Sequence, residues 1–236
     1  MKRSGICAVI VDYDLEAIKS VTPLVDLFEV RIDLIGDGWQ EVAKELKKPW
    51  IACNRRADEG GHWQGSEDER VAELLCAVEL GAHIIDVELQ TRNLEQTVTL
   101  IKRRAKCLLS SHNLVETPSL DQMKEVVQKE LAAGADIAKV VTTALKFEDN
   151  LALLQLISEF PQARVVSFAM GPSGLVSRIL SPLVGGDFTY ASVANGRESA
   201  SGQPAAGDLR ALYGVISNGK NLITAEELGA LIPLGT

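Results

Sequence analysis

Eight short apolar, strand-like runs recur along this chain at intervals of roughly 20–33 residues, with helical patterns between them. The runs are Ile6–Val11, Leu27–Asp33, Trp50–Asn54, His83–Leu89, Lys106–Ser110, Asp136–Val141, Arg164–Phe168 and Phe188–Val193. Helical patterns cover Trp39–Leu46, Glu67–Leu80, Leu94–Arg103, Leu120–Ala132, Phe147–Ser158, Gly174–Leu183 and Gly207–Ile216. Gly81 and Gly134 each follow a helical pattern, as glycines at helix C-termini do. Strands alternating with helices specify a parallel α/β sheet, and eight such units close naturally into a (β/α)8 TIM barrel. The 236 residues suit one such barrel, so residues 1–236 are expected to form a single domain. No linker or low-complexity tract interrupts the pattern. Thr224-Ala225-Glu226-Glu227 in the tail reads as the start of a capped final helix.

Charge then narrows the function. The 32 acidic residues exceed the 24 basic ones and no polybasic run occurs, which disfavours nucleic-acid and anionic-membrane partners. Cys7, Cys53, Cys76 and Cys107 show neither the spacing of a zinc site nor that of a redox pair. Buried free thiols in a reducing cytosol are the expected reading, with no metal and no cofactor. The run beginning at Ile6 is too short for a signal peptide and nothing approaches a membrane span, so a cytoplasmic protein is expected.

Strand parity says where the charges point. In Phe28-Glu29-Val30-Arg31-Ile32-Asp33 the charged residues alternate with apolar ones, and Asp86-Val87-Glu88 repeats the arrangement. The outer face of a barrel strand lies under helices and must be apolar. Glu29, Arg31, Asp86, Glu88, His112 and Lys139 should therefore point inward, at the C-terminal mouth where barrels of this kind carry their sites. Lys139 is the most informative, because Ala135-Asp136-Ile137-Ala138-Lys139-Val140-Val141-Thr142 places its stem among β-branched neighbours. Loss of water penalises an ammonium, and a neutral amine there can attack a ketone to form a Schiff base. The competing reading is a strand end with the ammonium reaching to water.

These stretches, taken together and in order, resemble the type I 3-dehydroquinate dehydratases. Glu29-Val30-Arg31-Ile32-Asp33 is similar to the family's strand-two motif. Arg55 with Asp58-Glu59-Gly60-Gly61-His62-Trp63-Gln64-Gly65 is similar to its loop after strand three. Ser110-Ser111-His112 resembles the strand-five end that carries the catalytic histidine, and Asp136-Ile137-Ala138-Lys139-Val140-Val141 supplies the lysine. Ser177-Arg178 and Ser199-Ala200-Ser201-Gly202-Gln203 resemble the clamp for the substrate carboxylate. Three departures stand out. Ser201 replaces a usual lid proline, Phe168 takes a position where methionine is common, and the N-terminus lacks the β-hairpin that plugs many relatives' barrels. The serine should loosen the lid, the phenylalanine should alter packing more than chemistry, and the floor must be closed by other means.

The resemblance implies removal of water from 3-dehydroquinate to give 3-dehydroshikimate. Lys139 would form the Schiff base, and His112 would take the adjacent proton and return it to the departing hydroxyl in a syn elimination, since its ordinary pKa lies near operating pH. Glu59 would orient His112, in competition with Asp58 and Glu67, and Asp86 would share that task. Glu29, Arg31 and Arg55 would bind ring hydroxyls, and the two arginines would repel a proton from Lys139. Arg178, with Ser199 and Gln203, would hold the carboxylate. Gly60, Gly61 and Gly65 fit a tight loop better than a phosphate cradle, and His62, Trp63 and His83 carry no assigned role. A homodimer is implied by the family. Two alternatives remain: a class I Schiff-base aldolase, using Gly171–Gly174 and Gly185-Gly186 for phosphate, or a catalytically silent barrel serving as a binding module.

Overall fold

The computed structural model describes residues 5–217. Its eight strands are β1 (Ile6–Ile10), β2 (Leu27–Arg31), β3 (Trp50–Cys53), β4 (Ile84–Glu88), β5 (Lys106–His112), β6 (Ile137–Thr143), β7 (Val165–Met170) and β8 (Thr189–Ser192). All ladders are parallel, and the order runs β7-β6-β5-β4-β3-β2-β1-β8. The remaining seam between β7 and β8 is bridged where the Asp187 N–H donates to the Val165 carbonyl at 2.9 Å. The result is the expected (β/α)8 barrel, nearly closed.

Nine α-helices lie among the described residues: α1 (Leu15–Val21), α2 (Ile32–Ile35), α3 (Trp39–Glu45), α4 (Glu67–Glu79), α5 (Leu94–Ile101), α6 (Leu120–Ala132), α7 (Glu148–Glu159), α8 (Leu175–Leu180) and α9 (Ala206–Ser217). The helices α4 and α6 start at capping boxes, Ser66 with Glu69 and Ser119 with Gln122, which satisfy otherwise orphaned amides. The sequence reading misses α1, a seven-residue helix capped by Asp14 after the first strand. The expected helix over 174–183 is shorter, because 3-10 turns at Pro172–Gly174 and Ser181–Leu183 bound α8. The tail helix expected at Thr224 lies outside the described residues.

Period-two alternation sorts each strand into two faces. Outward residues such as Ile6, Phe28, Trp50, Ile85 and Leu109 pack with the helices in one large core. Inward residues form a second apolar cluster that includes Cys7, Ile51, Ile84, Leu108, Ile137, Val166 and Phe188. That cluster fills the lower barrel, so the floor is closed by the strands' own side chains. Cys7, Cys53 and Cys107 are buried as expected, but Cys76 is not. It sits on the outer face of α4, where the helix turns away from the sheet. No helix among the described residues is long and apolar enough to cross a membrane.

Candidate active site

Above the apolar floor the inward positions become charged. Lys139 sits in the middle of β6 with only 4 % of its surface exposed. Its Nζ donates to Asp86 Oδ2 at 2.8 Å, lies 3.9 Å from Glu29 Oε1 and stands 4.3 Å above the Tyr190 ring. The amine is therefore met by a carboxylate, where the sequence reading set two arginines against it. Asp86 also accepts from Arg55 Nη2 at 2.7 Å and from the Ser110 hydroxyl at 2.6 Å. Burial works to raise the Asp86 carboxyl, but Arg55 and Lys139 outweigh it and hold it far below the usual carboxylate range. Glu29 goes the other way: burial raises it more than Lys139 lowers it.

Arg55 is locked from several sides. Its Nη1 donates to Glu88 Oε1 at 2.8 Å and to Ser110 Oγ at 2.7 Å. Glu88 is shared with the wholly buried Arg70 of α4, whose Nη1 donates to Glu88 Oε2 at 2.6 Å and to the Asn54 carbonyl at 3.0 Å. Arg31 makes a two-point contact with Asp33, at 2.8 and 2.7 Å. Both arginines thus present fixed, prepaired guanidinium groups to the interior.

His112 ends β5. Its Nδ1 lies 2.8 Å from Glu59 Oε2, and its backbone N–H donates to the same oxygen at 3.0 Å. A carboxylate at Nδ1 assigns the proton to that nitrogen and leaves Nε2 as the basic one. Burial, with Arg55 and Lys139 adding to it, pushes His112 well below its ordinary pKa, so the imidazole is neutral. Burial raises Glu59 to about 7, against the pull of Arg55. The loop that delivers Glu59 is tight. A Cβ on Gly61 would stand 2.0 Å from the Arg55 carbonyl oxygen, so only glycine fits. The competing carboxylates are engaged elsewhere, Asp58 with Arg56 and Glu67 with Arg70. Asp86 makes no hydrogen bond to His112; its oxygens go to Arg55, Ser110 and Lys139, so the shared orienting role is not what it does.

Opposite Lys139, Arg178 of α8 is 1 % exposed and stacks 4.3 Å over the Phe168 ring. Its Nε and Nη2 find no acceptor among the described residues, and burial lowers it to about 10. A buried cation with free donors is built for an anion. Ser199 closes the same region, its N–H and hydroxyl donating to Gln203 Oε1 at 2.7 and 3.1 Å. The segment carrying both folds over the mouth. The Ser201 carbonyl accepts from the Gly171 N–H at 3.2 Å, and Arg197 pairs with Asp12 and Asp14. Gly202 adopts φ +74° with its α-carbon so close that a Cβ would meet the Gly171 oxygen at 2.6 Å.

All nine side chains expected in the site line one cavity of about 340 Å³: Glu29, Arg31, Arg55, Glu59, His112, Lys139, Arg178, Ser199 and Gln203. Sequence reasoning did not assign Tyr190, which also lines it, nor Ser110 and Glu88, which hold Arg55. Their inward parity was readable; which charges they meet depends on strand stagger. Glu29, Cys53 and Asp86 place their ligand-type atoms within 4.8 Å of one another. Asp86 is already taken by three donors and burial keeps the Cys53 thiol protonated, so the trio is poorly suited to a metal ion. The phosphate reading also weakens. Gly185-Gly186 precedes β8 and so lies at the barrel's opposite end, and Gly174 is packed against the Ala169 backbone.

Comparison with known proteins places this arrangement. The family model described as type I 3-dehydroquinase matches residues 6–220. The 3-dehydroquinate dehydratase of Dehalococcoides mccartyi (strain CBDB1) is 42% identical over 213 residues, spanning 90% of this chain and 96% of the relative. That of Methanocaldococcus jannaschii is 34% identical over 206 residues, spanning 84% and 92%. The solved structure of 3-dehydroquinate dehydratase from Geobacillus kaustophilus HTA426 overlays with a TM-score of 0.82 at 24% identity, covering 93% of each chain.

Proposed function

Because the chain belongs to the type I 3-dehydroquinase family and is a hydro-lyase that dehydrates 3-dehydroquinate, we propose that it does so through a Schiff base on Lys139. The Lys139 amine adds to the ring ketone and water leaves, giving an iminium. The iminium draws electrons from the adjacent C–H bond, and His112 Nε2 accepts that proton, leaving an enamine. The enamine's electron pair expels the neighbouring hydroxyl, which takes the proton back from His112 and departs as water. A second water hydrolyses the iminium, releasing 3-dehydroshikimate and the free amine. Asp86 stays ionised beside the nitrogen and balances the iminium charge. Glu59 fixes the His112 tautomer. Arg178, Ser199 and Gln203 take the carboxylate, while Glu29, Arg31 and Arg55 face the ring hydroxyls.

The observation that carries this reading is the joint presence, in one cavity, of a buried lysine and a neutral histidine whose Nδ1 is tied to Glu59. Borohydride added with 3-dehydroquinate should reduce the iminium to a stable adduct on Lys139, read by peptide mass spectrometry. An adduct elsewhere, or none, refutes it. The enzyme works as a cytoplasmic homodimer in this proposal. The exposed Cys76 thiol suits a reducing compartment. Leu114, Val115, Leu145 and Phe147, on the loops after the adjacent strands β5 and β6, expose apolar surface suited to a second copy. Size-exclusion chromatography of Phe147→Glu tests that face.

A further inference from the structure

Two cations in this site have to grip opposite ends of one small molecule, and both rest on aromatic faces. Lys139 Nζ lies 4.3 Å from the Tyr190 ring centre, and Arg178 Cζ lies 4.3 Å from the Phe168 ring centre. The two rings touch, with centroids 5.8 Å apart and planes tilted by 59°. Phe188 braces Tyr190 from the barrel floor at 5.4 Å, edge to face. Phe168 is set by its pairing in β7 with Val141 of β6, and Tyr190 by its pairing in β8 with Cys7 of β1. The ring contact therefore spans the one seam where neighbouring strands share no ladder. Arg178 Nε and Nη2 have no hydrogen-bond acceptor among the described residues, where the Phe168 face is what orients that guanidinium.

We propose that the Phe168–Tyr190 pair is a specificity-determining platform that fixes the distance between the carboxylate anchor and the ketone anchor. The proposal rests on the reading that Arg178 binds the carboxylate and Lys139 the ketone. Each ring holds its cation by quadrupole attraction, a contact that acts on a guanidinium or an iminium alike. Tilted ring pairs keep a preferred separation, so the two cations cannot drift apart independently. A ligand is then accepted when its carbonyl stands in the 1,3 relation to its carboxylate, as in 3-dehydroquinate, and rejected when the span is longer. Phe168 is a positioning residue; Tyr190 touches the nitrogen that reacts.

The test uses two simple probes, 3-oxocyclohexanecarboxylate and 4-oxocyclohexanecarboxylate, trapped with borohydride on the intact enzyme. The wild type should trap the 3-oxo acid at Lys139 in clear preference to the 4-oxo acid. Phe168→Leu and Tyr190→Leu should each lower that preference by a factor of about 3–30, whereas Tyr190→Phe, which keeps the ring, should leave it unchanged. General destabilisation slows both probes alike and does not move their ratio. Cyclohexylalanine at position 168 keeps the volume and removes the π face, and it serves if a leucine variant does not fold. An unchanged ratio in the ring-less enzymes, with trapping still at Lys139, overturns the platform alone. Trapping away from Lys139, or trapping of the 3-oxo acid that is indifferent to Arg178→Gln, overturns the underlying reading instead.

Discussion

Replacing Glu59 with glutamine should stabilise the protein while slowing it, and the pH dependence of the gain is fixed by the structure. The carboxyl is raised from its ordinary value near 4.5 to about 7, with burial as the main cause. At about 1.4 kcal/mol per pH unit, holding this group ionised in the fold costs on the order of 3 kcal/mol. The mouth is partly open and the carboxylate accepts two N–H bonds, so about 1–3 kcal/mol is the expected gain. The sign follows from proton counts. Between about pH 4.5 and 7 the folded state binds the Glu59 proton more than the unfolded chain does, so that contribution favours folding at low pH. It is lost as pH rises through about 7, and Glu59→Gln, which cannot ionise, does not lose it. The variant should therefore match the wild type near pH 5 and exceed it at pH 8.

Urea unfolding of both proteins from pH 5 to 8.5 reads this difference. His112 is buried neutral, and its protonation in the unfolded chain lowers both curves alike at acid pH, so the difference between curves is the quantity of interest. A difference that stays constant across the range, or a variant that is less stable at pH 8, refutes the reasoning. Turnover should fall in the same variant, because an amide cannot carry the charge that supports an imidazolium at Nδ1. The acidic limb of the wild-type profile, set near 7 by Glu59, should also flatten.

His112→Ala should lower turnover by ~10²–10⁴-fold while imine still forms on Lys139, read by borohydride trapping beside a steady-state assay. Gly61→Ala forces a methyl into the Arg55 carbonyl, 2.0 Å away. It should cost about 1–3 kcal/mol in thermal or urea melts and also lower turnover, since the same loop delivers Glu59. The segment Asn195–Ala206 should exchange amide hydrogens faster in the free enzyme than in the borohydride-trapped adduct, because closure over substrate orders it. Equal exchange in the two states removes its role as a lid.

The barrel was legible because two constraints act together on the same residues. Alternation in Phe28-Glu29-Val30-Arg31 leaves the choice of face open, and the need to cover the outer face with helices then decides it. Strand ends were less legible. Strands β5 and β6 run two residues past their apolar cores, through Ser111-His112 and Thr142-Thr143, because ladder bonding to Val140, Val141, Ala169 and Met170 does not need apolar side chains. Partner choice was illegible. Arg31 lies two residues from Asp33, a contact that sequence proximity allows, but Arg55 finds Asp86 and Glu88 across β3 and β4 through a stagger no single strand encodes. Tyr190 shows the same limit. Its inward face is readable, yet the ring beneath Lys139 is set by pairing with β1, far away in the chain.

The two carboxylates nearest the chemistry are driven in opposite directions, and this separates their duties. Asp86 receives Lys139, Arg55 and Ser110 together, so its charge persists whatever the lysine is bonded to. That persistence is supported from outside the barrel, since Arg70 of α4 shares Glu88 with Arg55, whose other terminal nitrogen serves Asp86. Removing one member would strand a buried charge, which costs about 3–5 kcal/mol, so the chain is tied as a unit. Glu59 stands apart from that chain, bonded to His112 alone among the described side chains, and is raised to about 7. A group poised there answers to the charge on the imidazole, whereas Asp86 does not. Paired groups pushed apart in this way mark distinct roles in acid–base sites. In the proposed mechanism the permanent anion stands beside the nitrogen that becomes cationic in the iminium, and the titratable one beside the base that takes up and returns the proton.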